Sequence, residues 1–312
     1  GRGGGLAAAL ILADAANDHV LERVDRLDDA VLRHFEVFTS EIGDRHAICG
    51  GYLSPDARLI VGEACAAPGT GLVLSARTGE GTVLLEGHSG PLTEGAFSSD
   101  GSKIATGSID GTARIWDPGT GEELLTLKGH GGWVYGVDFS PDGTLLATAG
   151  EDGTARVWDV TSGRQLLVLS GHTGTITDVE FSPDGTRLAT SSGDGTVRIW
   201  DVSPQGGQEQ VILPEADAGS VAYSPDNSML ATSGWSGTAT LWDASTGTRM
   251  RTLSGADAGS DAAFAPGGKT LVTGGFSGPP ILWDTTTGER RRNLRGARGW
   301  IGGVAFSPDG SK

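Results

Sequence analysis

The sequence predicts an all-β protein assembled from copies of one stranded unit, and three observations carry that prediction. Between Gly129 and Asp159, the runs Trp133–Phe139, Thr144–Thr148 and Thr154–Trp158 alternate apolar with polar residues, separated by Ser-Pro-Asp-Gly and Glu-Asp-Gly. Period-two alternation marks half-buried strands, and Pro/Gly/Asp punctuation marks the turns of a meander. Trp-Asp then recurs at 116–117, 158–159, 200–201, 242–243 and 283–284, at steps of 42, 42, 42 and 41 residues. Self-similarity at such a period is the signature of a repeat architecture. Finally, the 52 glycines among 312 residues sit at fixed offsets within an apolar pattern, which separates them from low-complexity disorder.

Gly-His stands at 87–88, 129–130 and 171–172, and each His precedes a Trp-Asp by 28 residues. With these motifs the chain resembles the tryptophan–aspartate (WD) repeat family of β-propellers, in its bacterial type, from about Cys49 to the C-terminus. The resemblance implies four-stranded sheets standing radially around a central channel. Seven repeats of 42 residues would occupy about 294 residues, so the expected architecture is one closed, seven-bladed domain over 45–312. Six blades and part of another are visible in the chain.

Residues 1–44 form a lead-in of different character. No Gly or Pro occurs between Leu6 and Ile42, and Val20, Val24, Leu27, Val31, Phe35 and Phe38 recur at three- and four-residue steps behind Asn17 as a cap. That pattern suits an amphipathic helix. A second reading stays open: His19–Asp25 and Ala30–Val37 also align with the third and fourth strands of a degenerate blade, in which case 6–37 would close the ring. Residues 45–86 are an eroded repeat, with Ser75–Ala76 expected in the Trp-Asp place. Clean repeats begin at His88, His130 and His172. The next two share Ala-Asp-Ala-Gly-Ser, at 216–220 and 256–260, in place of the Gly-His loop. A further repeat starts at Gly296 and stops at Lys312 in a turn, as expected of a fragment cut at both ends.

The family resemblance implies an internal hydrogen-bond relay in each complete repeat. Carried over, its members are His88–Thr106–Asp110–Trp116, His130–Thr148–Asp152–Trp158 and His172–Thr190–Asp194–Trp200. Asp, His and a hydroxyl together suggest a nucleophilic triad, but three copies at identical spacing serve a scaffold better than an active site. The altered repeats agree: where His is replaced by Glu215 and Ala256, the turn Asp is replaced by Ser236 and Ser277. Thr232, Trp242, Thr273 and Trp283 are kept.

No catalytic set, cofactor site or metal site is expected. Gly267-Gly-Lys-Thr270 ends like a phosphate-binding loop, but Ala263 stands where its first Gly belongs. The Asp-Gly turns lack the alternating oxygen ligands of a calcium loop, and six scattered His form no zinc constellation. A propeller hydrolase or lyase would need carboxylates or His at the inner-strand ends, positions read here as mostly Gly, Val and Thr.

Protein binding is the expected function, at the top face that carries the Gly-His and Asp-Gly loops. The residue before the turn Asp position is Ile109, Glu151, Gly193, Trp235 and Phe276 in successive repeats, and Trp133 and Trp300 start inner strands, with Tyr135 beside Trp133. Aromatic side chains on loops of a rigid scaffold are the usual anchors of an interface. The partner would be another protein or another domain of the same polypeptide. One form of this is a C-terminal sensor behind a nucleotide-binding or kinase domain. Arg290, Arg291, Arg292, Arg295 and Arg298 cluster in an acidic chain, either as a solvated outer strand or as a patch for acidic groups.

A formal net charge of −16 argues against nucleic acid, whose phosphates demand basic faces. The apolar run Leu6–Ala13 falls far short of the ~20 residues of a membrane span. Cys49 and Cys65 make no disulfide framework; a reduced pair on neighbouring strands favours a cytoplasmic location.

Overall fold

The computed structural model describes residues 9–13, 48–64, 67–76, 81–203, 206–214, 219–234, 237–255, 261–274, 278–294 and 301–306. Six four-stranded antiparallel meanders follow one another, and every described element is a strand. Blade 1 spans 48–86, blade 2 spans 92–128, blade 3 spans 134–170, blade 4 spans 176–214, blade 5 spans 220–254 and blade 6 spans 262–293. A seventh inner strand, Ile301–Phe306, pairs antiparallel with Ala9–Ala13 in the register Ala9↔Phe306. It packs against the inner strand of blade 6 on one side and of blade 1 on the other, so seven inner strands close a ring.

Within the lead-in, Ala9–Ala13 is a strand. The helical pattern from Val20 to Phe38 lies outside the described residues. In blade 1 the register corrects one expectation. Ile60 pairs with Leu74 and Leu59 with Ser75, as Leu146 pairs with Trp158 and Leu145 with Asp159 in blade 3. Leu74–Ser75, not Ser75–Ala76, therefore fills the Trp-Asp place. The turn before that strand is two residues longer than in blade 2 (Ile60 to Thr70 against Ile104 to Thr112), and the motif is too eroded to reveal the insertion.

Local chemistry explains why each meander forms. In blade 3, Ser140 Oγ donates to Asp142 Oδ1 at 2.6 Å and accepts the Leu145 N–H at 2.9 Å, so Ser-Pro-Asp-Gly satisfies its own turn. Gly143 sits there at φ 70°, a left-handed conformation that side chains disfavour. Successive blades then bury their faces against each other. Leu169, Ile176, Val179, Phe181, Leu188 and Trp200 fill the junction of blades 3 and 4, and similar apolar clusters fill the junctions from blade 1 through blade 6. The core is distributed around the ring, between blades. Both faces of a blade are therefore committed to packing, and the loops at its two ends are left to meet other molecules.

Candidate functional site

In blades 2 to 4 the four relay side chains are hydrogen-bonded in order. Trp116 Nε1 donates to Thr106 Oγ1 at 2.8 Å, Thr106 Oγ1 lies 2.8 Å from His88 Nε2, and His88 Nδ1 lies 2.9 Å from Asp110 Oδ2. The corresponding distances are 3.0, 2.7 and 3.1 Å for Trp158–Thr148–His130–Asp152, and 2.9, 2.8 and 2.9 Å for Trp200–Thr190–His172–Asp194. An indole nitrogen only donates, so the threonine hydroxyl spends its proton on His Nε2. His Nδ1–H is then assigned as donor to the carboxylate. The aspartates also accept the Ser89, Gly131 and Thr173 backbone N–H groups, tying the loop between blades to the following hairpin.

Electrostatics follow from burial. Desolvation lowers the pKa of His88, His130 and His172 despite their carboxylate partners, keeping the rings neutral. Burial pushes the Asp110 carboxyl up, but bonds from Thr112, His88 and Ser89 outweigh it and bring it down to about 2. Asp152 and Asp194 are lowered in the same way. The hydroxyls of Thr106, Thr148 and Thr190 are inaccessible and already engaged at both ends. No substrate carbonyl reaches them, so this arrangement holds loops and does no nucleophilic work.

The glycine of Gly-His has a steric cause. A Cβ on Gly87 would lie 2.4 Å from Arg114 Nη1 and 3.2 Å from Trp116, and Gly129 and Gly171 are crowded alike by Arg156 with Trp158 and by Arg198 with Trp200. Each guanidinium reaches across that space to the outer strand, to Glu123, Gln165 or Glu209. In blades 5 and 6 only the Trp–Thr bond is described: Trp242 to Thr232 at 2.9 Å and Trp283 to Thr273 at 3.0 Å. In blade 5, Thr240 replaces the strand-three Arg, and Arg249 on the outer strand lies over Trp242 at 4.9 Å.

The top-face residues are partly brought together. Trp133 is 43% exposed, and its ring lies 5.9 Å from that of Tyr135 at a 46° tilt. Glu151 Oε2 accepts the Trp133 N–H at 3.1 Å, and a Cβ on Gly132 would meet that carboxylate at 2.5 Å, so Glu151 lies against the loop that presents the indole. Burial and the Glu151 charge raise the Tyr135 pKa. Ile109 packs on Gly90 of its own blade and borders a cavity shared with Asp110, His130 and Trp133. Trp235, Phe276 and Trp300 lie outside the described residues. In the arginine cluster, Arg291 pairs with Asp284 and Thr270 of its own blade.

Sequence reasoning missed a second constellation. The inner strands carry Glu94, Asp138, Asp178 and Glu180, and Asp261 directly precedes another, which corrects their reading as mostly Gly, Val and Thr. Each carboxylate accepts a backbone N–H from the next blade's inner strand: Glu94 from Val137 (3.0 Å), Asp138 from Phe181 (2.7 Å), Asp178 from Val221 (2.9 Å), Glu180 from Tyr223 (2.6 Å) and Asp261 from Val304 (2.8 Å). An innermost strand is a sheet edge with unpaired N–H groups, and these acids satisfy them. Glu94, Asp178 and Asp261 occupy one position in blades 2, 4 and 6. Gly136, Ser220 and Gly303 occupy it in the blades that follow. At Gly136 a Cβ would lie 3.2 Å from the Glu94 carboxylate, so the missing side chain is the space the acid uses.

These acids are close enough to repel one another across the ring. Desolvation, then the charge of Asp178, pushes Glu94 well above the usual carboxylate range. Burial raises Asp138 and Asp261 to about 7, and desolvation with Asp138 nearby raises Glu180 well up. The sequence does hold one signal for them, an acid inside an otherwise apolar run. Its partner, however, lies 43 residues away, one repeat plus one, and a repeat template averages it out. Among the described residues no group of three or more His, Cys, Asp or Glu side chains is arranged to hold a metal ion.

Comparison with known families agrees with this architecture. Residues 133–312 match the family described as the IFT122 first beta-propeller, and residues 79–117 match the WD domain, G-beta repeat. No curated protein matches the chain. With more than half its length covered by a propeller family, with relay geometry in three blades and with seven inner strands in a ring, the chain belongs to the WD-repeat β-propellers, in the family of the IFT122 first propeller.

Proposed function

We propose that this propeller is a non-catalytic scaffold that holds a protein, or another domain of its own polypeptide, on the top face around Trp133 and Tyr135, with Glu151 at their border. One observation carries the reading. Of the six described tryptophans, five are buried and Trp133 is 43% exposed. An aromatic ring standing in water on a stiff loop gives a large contact area at low entropic cost, the property of an interface anchor. The relay supports a structural role for the remaining machinery, because its hydroxyls are buried and its carboxylates are committed to loop N–H groups. Ile109 frames the same cavity; Trp235, Phe276 and Trp300, outside the described residues, are included in the proposal on their places in the repeat alone. We place this function in the cytoplasm, on the cysteine usage; no described helix is long and apolar enough to cross a membrane.

The test is affinity capture with the wild-type chain against a Trp133→Ala/Trp235→Ala/Phe276→Ala variant, with thermal melting as the folding control. The expected result is loss of specific partners at an unchanged melting temperature. An identical partner set for both proteins overturns the top-face reading.

A further inference from the structure

We propose that the patch between blades 2 and 3 takes a cationic side chain, Lys or Arg, from a basic segment of the partner protein. This rests on the top-face reading above and names the chemistry of its ligand. The Trp133 and Tyr135 rings meet at 46° with centroids 5.9 Å apart, and the Trp133 side chain is exposed, so aromatic surface is open to an incoming group. Aromatic faces carry negative potential and attract cations, Trp most strongly. Glu151 stands at the same corner, held through the Trp133 N–H, and it forms no ion pair among the described residues. Of the neighbouring acids, Asp110, which lines the cavity, is almost fully buried and bound to His88, and Asp152 is bound to His130 and paired with Arg156. Glu151 is therefore the carboxylate left to meet a charge from outside.

The surroundings favour the same sign. Three glycines, Gly111, Gly131 and Gly132, line the cavity beside Ile109, Asp110, His130 and Trp133, leaving room for a side chain to enter. The seven inner strands behind it carry four carboxylates, with Asp261 adjoining them, and not one Lys, Arg or His. Burial holds most of these acids protonated near neutral pH, so the attraction comes from the chain as a whole, whose formal net charge of −16 draws basic segments and repels acidic ones. An apolar side chain in the corner would instead cover Glu151 without supplying a counter-charge, an unfavourable exchange.

The test is fluorescence anisotropy with a labelled dodecapeptide of Arg, Lys, Gly and Ser, beside the same peptide with Gln at each basic position. The basic peptide is expected to bind and the Gln peptide to bind at least about ten-fold more weakly. Trp133→Ala and Glu151→Gln should each weaken the basic peptide by about five-fold. Glu122→Gln removes one exposed charge from the opposite end of blade 2 and should leave binding unchanged. Glu151→Gln keeps an acceptor for the Trp133 N–H, so its effect reports charge and not loop collapse. Equal binding of the two peptides overturns the proposal, as does wild-type affinity in both patch variants. So does a loss in Glu122→Gln as large as in Glu151→Gln, which would reveal diffuse attraction. If natural partners depend on Trp133 while the basic peptide fails to bind, this inference falls and the scaffold reading stands. If the peptide binds through Trp133 while the natural partner set is unaltered, the cation site stands and the scaffold reading falls.

Discussion

The outer half of each blade and the inner edge of the ring hold polar groups by opposite rules. The relay is repeated: three blades carry the same four side chains at the same spacing, and every bond stays within a blade or its entering loop. The inner carboxylates are not repeated. They sit on alternate blades or in a consecutive pair, and each bond crosses to the next blade. A repeated device can only build identical units, since it carries no information about which unit comes next. An acid on one blade matched by Gly136, Ser220 or Gly303 on the following one distinguishes neighbours. The relay makes the blades, and the acids help set their order around the ring.

Breaking the relay tests the first half of that comparison most severely. Trp200→Ala removes a large buried side chain from the junction of blades 3 and 4 and should cost about 3–5 kcal/mol. Thr190→Val keeps the volume but strands both the Trp200 N–H and His172 Nε2. Each orphaned group costs about 1–3 kcal/mol. The matched change in blade 5, Thr232→Val, strands the Trp242 N–H without a described His partner and should cost less. Urea denaturation measures both. Equal losses would mean that the His bond contributes nothing and that the two blade types do not differ in the way their sequences suggest.

Much of this relay is legible in the order of residues alone. Trp-Asp spacing locates the strands, and the joint loss of His and Asp in the later repeats marks them as one unit. The Trp133, Tyr135 and Glu151 group is legible for the opposite reason: those residues differ from the template at positions where loops emerge. The inner acids escape because Glu94 or Asp178 in a strand such as Leu92–Phe97 or Ile176–Phe181 reads as a polar residue on an alternating face. Only the ring, by bringing Val137 and Val221 alongside, reveals what the carboxylate binds. Blade 1 escapes in part because two extra residues before Thr70 shift its register, and without a Trp nothing marks the shift.

Acidity separates the two regions next. The inner acids have folded pKa values above their unfolded ones, about 7 against 3.8 for Asp138 and Asp261. The folded state then binds more protons between those values, so the acids' contribution to stability rises as pH falls through 7. The relay histidines are shifted downward, so the unfolded state binds more protons below 6.5 and stability is lost as pH falls through their folded values. Lowering the pH from about 8.5 to 6.5 should therefore raise the melting temperature by a few degrees, and below 6.5 the continuing gain from the acids is opposed by the loss from the histidines. Asp138→Asn with Asp261→Asn keeps the N–H acceptors and removes the charges. It should flatten the rise that acidification brings and leave the opposing histidine contribution in place. A slope unchanged by that pair would separate the acids from the pH response.

The smallest expected effect concerns the one turn that every blade shares. Gly101, Gly143, Gly185 and Gly268 take φ between 68° and 71° after the turn, whereas blade 1 has Ala57 at φ 56° and blade 5 has Asn227 at φ 61°. Alanine in that conformation costs about 1–2 kcal/mol through its Cβ, and asparagine is tolerated. Glycine returns roughly half of that gain as extra freedom of the unfolded chain. Ala57→Gly should thus stabilise by about 0.5–1 kcal/mol, Asn227→Gly should change little, and Gly143→Ala should destabilise by about 1 kcal/mol. Denaturation midpoints of the three variants read the series. Its order matters more than its size, because Ala57→Gly and Gly143→Ala exchange the same two residues at equivalent positions of different blades. Opposite signs would show the turn to be governed by its own backbone, independently of how far the rest of the blade has diverged. If Ala57→Gly destabilises instead, blade 1 has adapted its turn to alanine, and its divergence extends to the backbone as well as to the missing Trp.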